Sequence, residues 1–405
     1  MSGDILFLAH RTPYPPDRGD KIRSWNVLKA LSRLAPVHVV ALCTDPDEQQ
    51  YRSVLEGVAA SVTLVPHDGG KLAAVASALV SGGSASVKAC ASTALARRVD
   101  ELIASGRIGS IYAFSGQMAQ YVPDTLNGIR FLMDFVDMDS AKFKAWGEGR
   151  GLSAMANRFE ARRLFAFERA VANRADLSLF VSEAEAALFR AATGLEADRV
   201  LPLENGIDLE RYRPGHAAPA LAGEGPHIVF TGQMDYAPNV EAAIHYARAV
   251  LPRVRAVLGQ AQFWIVGRAP VPAVQELATL PGVTVTGTVP DPRDHIAAAD
   301  MIVAPLMLAR GIQNKVLEAM AMGKAVLAST PAAEGIDAMP GRDLEIADGA
   351  EDQAQASLAL LADAPRRSSL GQAARARMEA RYGWAATLAP LPDLFGMAGK
   401  GRAAA

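Results

Sequence analysis

In the stretch "GIQNKVLEAMAMGKAVLAS", residues 311–329, a lysine and a glutamate stand three residues apart where a turn becomes a helix. Asn314 suits a helix start and Gly323 a helix end. The segment follows the apolar run "MIVAPL" (301–306), so its loop is expected at the carboxyl end of a strand. Backbone N–H groups at a helix start attract phosphate, and Lys315 adds a point charge. Glu318, one turn on and on a similar face, can accept two hydroxyl hydrogens from a ribose. So placed, the pair grips a nucleotide diphosphate and its sugar. The same spacing also suits an exposed Lys–Glu pair, worth about 0.3–0.5 kcal/mol. Spacing alone does not separate the two.

Other candidates are weighed in the same way. Asp137-Met138-Asp139 has the Asp-x-Asp form that holds a divalent cation in some enzymes, but a structural or acceptor-side role for Asp137 is preferred and no metal is expected. The seven histidines show no zinc-like spacing. No strand is followed by G-x-G-x-x-G, and G-x-x-x-x-G-K-[ST] is absent, which argues against a dinucleotide oxidoreductase and a P-loop kinase. Residues 155–174 form an amphipathic helix carrying Arg158, Arg162, Arg163, Arg169 and Arg174. These suit anionic lipid headgroups, or a solvated face laced by Glu160 and Glu168, the preferred reading.

The elements that must position these residues follow from hydrophobic periodicity. Runs at 5–9, 37–42, 61–66, 110–114, 130–135 and 177–182 read as strands buried on both faces, with helical patterns such as 21–34 between them. A second series lies at 227–232, 261–267, 283–287, 301–306 and 325–329. Strand alternating with helix, twice over, predicts two Rossmann-like, doubly wound α/β domains facing a central cleft. The Pro/Gly/Ala-rich stretch near 208–226 marks the break, giving domains 1–207 and 208–383, with a last helix at about 384–396 returning to the first. The 405 residues suffice for two cores. A net charge of −2, balanced along the chain, excludes a nucleic-acid binder held by bulk charge. Only Cys43 and Cys90 occur, as in a reducing compartment. The N-terminus reads as a first strand rather than a signal peptide, and the uncharged run Leu72 to Val87 is too weakly apolar to span a bilayer. A cytoplasmic protein is expected.

"KVLEAMAMGKAVLAS" resembles the signature helix of family-4 retaining glycosyltransferases, which have the GT-B fold. "PLENGIDLERYRP" (202–214), "LFVSEAEAALFR" (179–190) and "TGQMDYAPNVEA" (231–242) are similar to that family's inter-domain segment, the elements before it and its glycine loop. "LAHRTPYPPDRGDKIRSWN" (8–26), "DFVDMDSAKF" (134–143) and "TPAAEGI" (330–336) resemble the subgroup associated with exosortase/PEP-CTERM exopolysaccharide systems.

The resemblance implies roles position by position. Glu318 holds the donor ribose, Lys315 reaches the diphosphate, and Gly232 and Gln233 form the glycine loop. Eight positions before Glu318, where the family keeps an acid, stands Arg310, so backbone N–H groups of Gly311, Ile312 and Gln313 beside Asn314 are expected to bind the sugar. No cation follows the glycine loop, which leaves phosphate to Lys315 with Arg310 or Arg268. On the acceptor side Gly19 and Asp20 match the Gly-rich turn after the first strand, and Lys21 and Arg23 either meet a phosphorylated acceptor or solvate a helix face. Ser115 occupies a place where several relatives keep a histidine, and a substrate contact is assigned to it. The implied activity is transfer from a UDP- or GDP-linked sugar to a growing exopolysaccharide or polyprenyl-linked saccharide with retention. No cofactor is needed, and peripheral contact with the inner membrane face is open. Alternatives are a nucleotide-sugar epimerase of the same fold and a non-catalytic nucleotide-sugar or glycan-binding subunit.

Overall fold

The computed structural model describes residues 3–67, 82–309 and 312–397. Arg310 and Gly311, named above as donor contacts, lie outside the described residues, as does most of the uncharged run from Leu72. The chain divides into two compact units, one reaching Asn205 and resuming at Thr387, the other Gly206–Ala386.

The first series of apolar runs builds a wholly parallel sheet from β1 (Asp4–Ala9), β2 (Val37–Cys43), β3 (Ser61–Pro66), β4 (Ile108–Phe114), β5 (Arg130–Val136), β6 (Leu177–Phe180) and β7 (Val200–Pro202). The order is β3-β2-β1-β4-β5-β6-β7, with Phe7 of β1 in register between Val39 and Tyr112. Every residue of β2 is buried, whereas the edge strand β3 has several partly exposed positions. This follows from a sheet covered on both faces but open at its edge. The covering helices include α1 (Gly19–Leu31), α2 (Asp139–Trp146) and α3 (Leu152–Arg174).

The second series gives β8 (His227–Thr231), β9 (Gln262–Val266), β10 (Val283–Gly287), β11 (Met301–Ala304), β12 (Val326–Ala328) and β13 (Glu345–Ile346), ordered β10-β9-β8-β11-β12-β13. Its helices include α4 (Ala237–His245), α5 (Asn314–Ala321) and α6 (Ala364–Arg377). In each sheet the winding reverses once, between β1 and β4 and between β8 and β11. Such switch points open a crevice at the carboxyl ends of the strands, where α/β proteins bind ligands. Sequence periodicity missed β7 and β13, whose three and two residues are too short to show a pattern.

The chain end differs from the single helix expected at 384–396. It forms two short helices, Trp384–Thr387 and Leu391–Leu394, with Pro390 and Pro392 between the end of one and the body of the other. The second belongs to the first unit, where Arg130 Nε donates to Leu394 O (2.7 Å) and Phe395 stacks on Tyr112. Among the described residues no helix is long and apolar enough to cross a membrane.

Candidate active site

The crevice between β8 and β11 collects the residues singled out by their chemistry. The loop after β8 carries Gly232 and Gln233; the loop after β11 leads into α5 with Lys315 and Glu318. Asn239, in the first turn of α4 and buried, joins the two. Its Nδ2 donates to Gln233 O (2.9 Å), and its Oδ1 accepts from Lys315 Nζ (2.5 Å). A Cβ at Gly232 would lie 2.8 Å from that amide nitrogen, so the loop needs glycine there. The Lys315 ammonium also lies over the Phe230 ring, 5.3 Å from its centroid.

Lys315 and Glu318 therefore do not form the exposed helix pair that their spacing allowed. Both are largely buried, and each has a different partner: Asn239 for Lys315, the Tyr212 hydroxyl for Glu318. Burial sets their titration. It brings the Lys315 ammonium down to about 8, partly opposed by the Glu318 charge. It pushes the Glu318 carboxyl up to about 6, against the Tyr212 hydrogen bond and the charges of Arg211 and Lys315. Each charge is thus held in surroundings that disfavour it, a condition common where a ligand's charges complete the site.

The backbone of α5 differs in one detail from expectation. Gln313, not Asn314, is the N-cap residue, with extended φ/ψ, and it makes no side-chain cap. Asn314 is the first helical residue and is exposed. At the other end Gly323 takes a left-handed φ of 68°, the C′ conformation anticipated from the sequence. Ile312 lies 3.6 Å from where a Cβ on Gly335 would be, so the segment entering α5 sits against Gly335.

Two arginines support the site, of which the sequence suggested Arg268 and did not suggest Arg375. Arg268 Nη2 donates to Gln233 Oε1 (2.9 Å), which places a guanidinium at the glycine loop that itself lacks a cation. Gly267, preceding it, packs so tightly that a Cβ would fall 1.6 Å from Gly232 O. Arg375, on α6, is the second. Its Nη1 donates to Tyr212 O (2.7 Å), Leu209 O (3.2 Å) and Ala321 O (2.7 Å), tying the linker that carries Tyr212 to the end of α5. Nothing in the spacing of Asn239, Tyr212 or Arg375 marks them; only the pairing of distant segments does.

The acceptor-side candidates fall elsewhere, in the first unit. Gly19 opens α1 and faces open space. Asp20 is ion-paired with Arg11 (2.8 Å), Arg18 (2.8 Å) and His10 (3.4 Å). Burial alone would raise its carboxyl, but the contact with His10 and the charges of Arg11 and Arg18 hold it well below the usual carboxylate range. His10 reaches across the β1–β4 crevice to stack on Phe114.

The structure turns Lys21 and Arg23 inward, against the reading in which they solvate a helix face. Neither solvates the helix, nor does either present its charge to solvent. Lys21 is buried against Glu48, and Arg23, 1% exposed, forms a two-point ion pair with Asp134 (2.9 and 3.1 Å) and donates to Asn205 (2.9 Å). The Tyr112 hydroxyl completes the Asp134 shell (2.6 Å). The helical face of α1 reads inward here because β5 supplies a buried carboxylate, which no sequence spacing reveals.

Ser115 and Val136, at the ends of β4 and β5, both adopt left-handed φ (76° and 70°), a costly conformation for a β-branched valine. Ser115 Oγ bonds Gln117. Asp137 and Asp139 share the Lys142 ammonium (2.7 and 3.2 Å), so their charge is met by a side chain of α2. Among the described residues no group of three or more His, Cys, Asp or Glu is placed to hold a metal.

Two family models match the chain: one described as a glycosyl transferase 4-like domain over residues 21–206, and one as glycosyl transferases group 1 over residues 225–363. No curated protein sequence matches. Among solved structures, sucrose-phosphate synthase from Thermosynechococcus elongatus superposes at a TM-score of 0.65 with 19% identity, covering 97% of this chain and 98% of that one. Anabaena HepE, solved in complex with UDP, gives 0.61 with 15% identity and covers 98% and 100%. A glycosyltransferase from Rickettsia africae gives 0.60 with 12% identity, covering 97% and 98%. Taken with two doubly wound parallel sheets, these matches make the chain a glycosyltransferase of the GT-B fold.

Proposed function

We propose that the protein moves a sugar from a nucleoside-diphosphate sugar to a saccharide acceptor, either a growing exopolysaccharide or a lipid-linked oligosaccharide, with retention of configuration. The observation that carries this reading is the crevice at β8 and β11. There Asn239 joins the glycine loop to the ammonium of Lys315, and the carboxylate of Glu318, held by Tyr212, follows one turn on along the same helix. A diphosphate beside Lys315 and the start of α5 replaces the solvation that burial removed. Glu318, ionised, accepts from two ribose hydroxyls, and Arg268 supplies the charge absent from the glycine loop. The UDP and UDP-glucose complexes of Anabaena HepE favour a uridine donor. Retention and an exopolysaccharide acceptor rest on the likeness of the 311–329, 8–26 and 134–143 segments to the family-4 and PEP-CTERM-associated enzymes. The acceptor is assigned to the first unit, near Asp20, Ser115 and Asp137, and the site of action to the cytoplasm.

Thermal unfolding with UDP, GDP, ADP and CMP tests the donor. A ligand at about a hundred times its dissociation constant adds roughly 2.7 kcal/mol of stability. A shift with UDP that disappears in Glu318→Ala supports the assignment; no shift with any nucleotide overturns it.

A further inference from the structure

The hairpin of α2 and α3 carries an apolar surface that the core of the first unit does not use. Its helices are joined by Gly147-Glu-Gly-Arg-Gly151. Arg158 Nη1 donates to Gly147 O (2.7 Å) and Asn157 Nδ2 to Trp146 O (3.4 Å), which fixes Trp146 beside the first turns of α3. The inner side of α3 buries Ala154, Ala161, Leu164 and Val171. Leu152, Met155 and Phe159, spaced i, i+3 and i+7, are instead 82%, 56% and 46% exposed, and Trp146 is 61% exposed. Residues so spaced form one stripe along a helix. Four large apolar side chains gathered within two turns and a bend mark a surface that meets a partner.

The charge around the stripe selects the partner. Lys144, Arg150, Arg158 and Arg162 are exposed around it, and Arg163 lies over the Phe159 ring at 3.8 Å. Of the acids between 144 and 163, Glu160 is engaged by the Ser84 hydroxyl and the amides of Ala85 and Ser86, leaving Glu148. A second copy of the chain across a two-fold contact would bring like charges together. Bilayer phosphates above an acyl boundary match both features, since long basic side chains reach the headgroups while apolar ones enter below them.

We propose that the tip of the α2–α3 hairpin seats on an anionic lipid bilayer, with Trp146, Leu152, Met155 and Phe159 entering the headgroup boundary and Lys144, Arg150 and Arg162 facing lipid phosphates. The inference deepens the lipid-linked-acceptor reading and rests on it for its purpose, because it brings the enzyme to the surface where such an acceptor resides.

The test is sedimentation of the full chain with vesicles of phosphatidylcholine alone or mixed with phosphatidylglycerol. The expected result is salt-sensitive binding to the mixed vesicles. Lys144→Ala/Arg162→Ala should weaken it on the order of thirtyfold, from about 1 kcal/mol per cation, and Leu152→Glu/Met155→Glu should abolish it. Both variants should keep the wild-type melting curve and its UDP shift, readings that report the fold and the donor site separately. Binding that ignores phosphatidylglycerol, or that survives in both variants, overturns the proposal. So does a concentration-dependent dimer of the wild type that Leu152→Glu/Met155→Glu disperses, which would assign the stripe to self-association.

Discussion

If the donor grips Lys315 and Glu318 as charged groups, its affinity must be bell-shaped in pH. Glu318 titrates at about 6 in the free protein and has to be ionised to accept ribose hydroxyls. Lys315 titrates at about 8 and has to be protonated to hold the diphosphate. Both conditions are met between those values. One pH unit below the carboxyl only about a tenth of the molecules are ionised, so the dissociation constant at pH 5 should be roughly tenfold that at pH 7, and a similar loss is expected at pH 9. The displacements have a stability counterpart. Raising the carboxyl from 4.5 to about 6 corresponds to about 2 kcal/mol, and lowering the ammonium from 10.5 to about 8 to about 3 kcal/mol. For both groups this is destabilisation of the charged form. It builds up for Glu318 as pH rises from about 4.5 to about 6, and for Lys315 as pH falls from about 10.5 to about 8, so near pH 7 both are fully present and the empty site strains against the fold.

Calorimetric titration with UDP-glucose from pH 5 to 9 is the assay. A nucleotide sugar is preferred to UDP because a terminal phosphate itself titrates at about 6 and would mimic the acid limb. Glu318→Gln should flatten the acid limb and leave the alkaline one; Lys315→Met should do the reverse, with weaker binding throughout. An affinity flat across the range, or an acid limb that persists in Glu318→Gln, would refute the assignment of these two groups.

Two further expectations concern the frame. Gly267→Ala would place a methyl group 1.6 Å from Gly232 O, so the loops must part; a stability loss of about 3 kcal/mol or more and loss of the UDP shift are expected, and an unchanged melt would contradict that packing. Asp134→Ala strands the buried Arg23 guanidinium and should cost about 3–5 kcal/mol in urea unfolding. Arg23→Met/Asp134→Leu should recover part of this, whereas a role for Arg23 in acceptor phosphate binding would leave stability unchanged and reduce activity.

The sheets were legible because both are parallel and covered on two faces, so that strands such as 37–43 and 227–231 are continuous apolar runs with turn residues between them. Elements without a period escaped: the two-residue β13, and a chain end that Pro390 and Pro392 divide into separate helices. For the site, sequence named the residues proposed to touch a donor and missed most of those that hold them. Asn239 is 76 positions from Lys315, and Arg375 is 163 from Tyr212 and 54 from Ala321. Arg23 shows the converse failure. A lone arginine two residues after a lysine on a helix suggests a wet face, and only the pairing with Asp134, 111 positions away, turns it inward.

That difference also resolves what the Lys315–Glu318 spacing left open. A surface pair three residues apart gains its modest energy by meeting partner to partner, in water, where each charge is already comfortable. Here the ammonium turns to an amide oxygen on α4 and the carboxylate to a hydroxyl on the linker, and burial displaces both groups toward their neutral forms. An arrangement that separates two opposite charges and strips solvent from each gains nothing for the fold that direct pairing would not supply more cheaply. It is intelligible when a third party carries the complementary groups: an anion for the one, hydroxyl donors for the other, which a nucleoside diphosphate presents together.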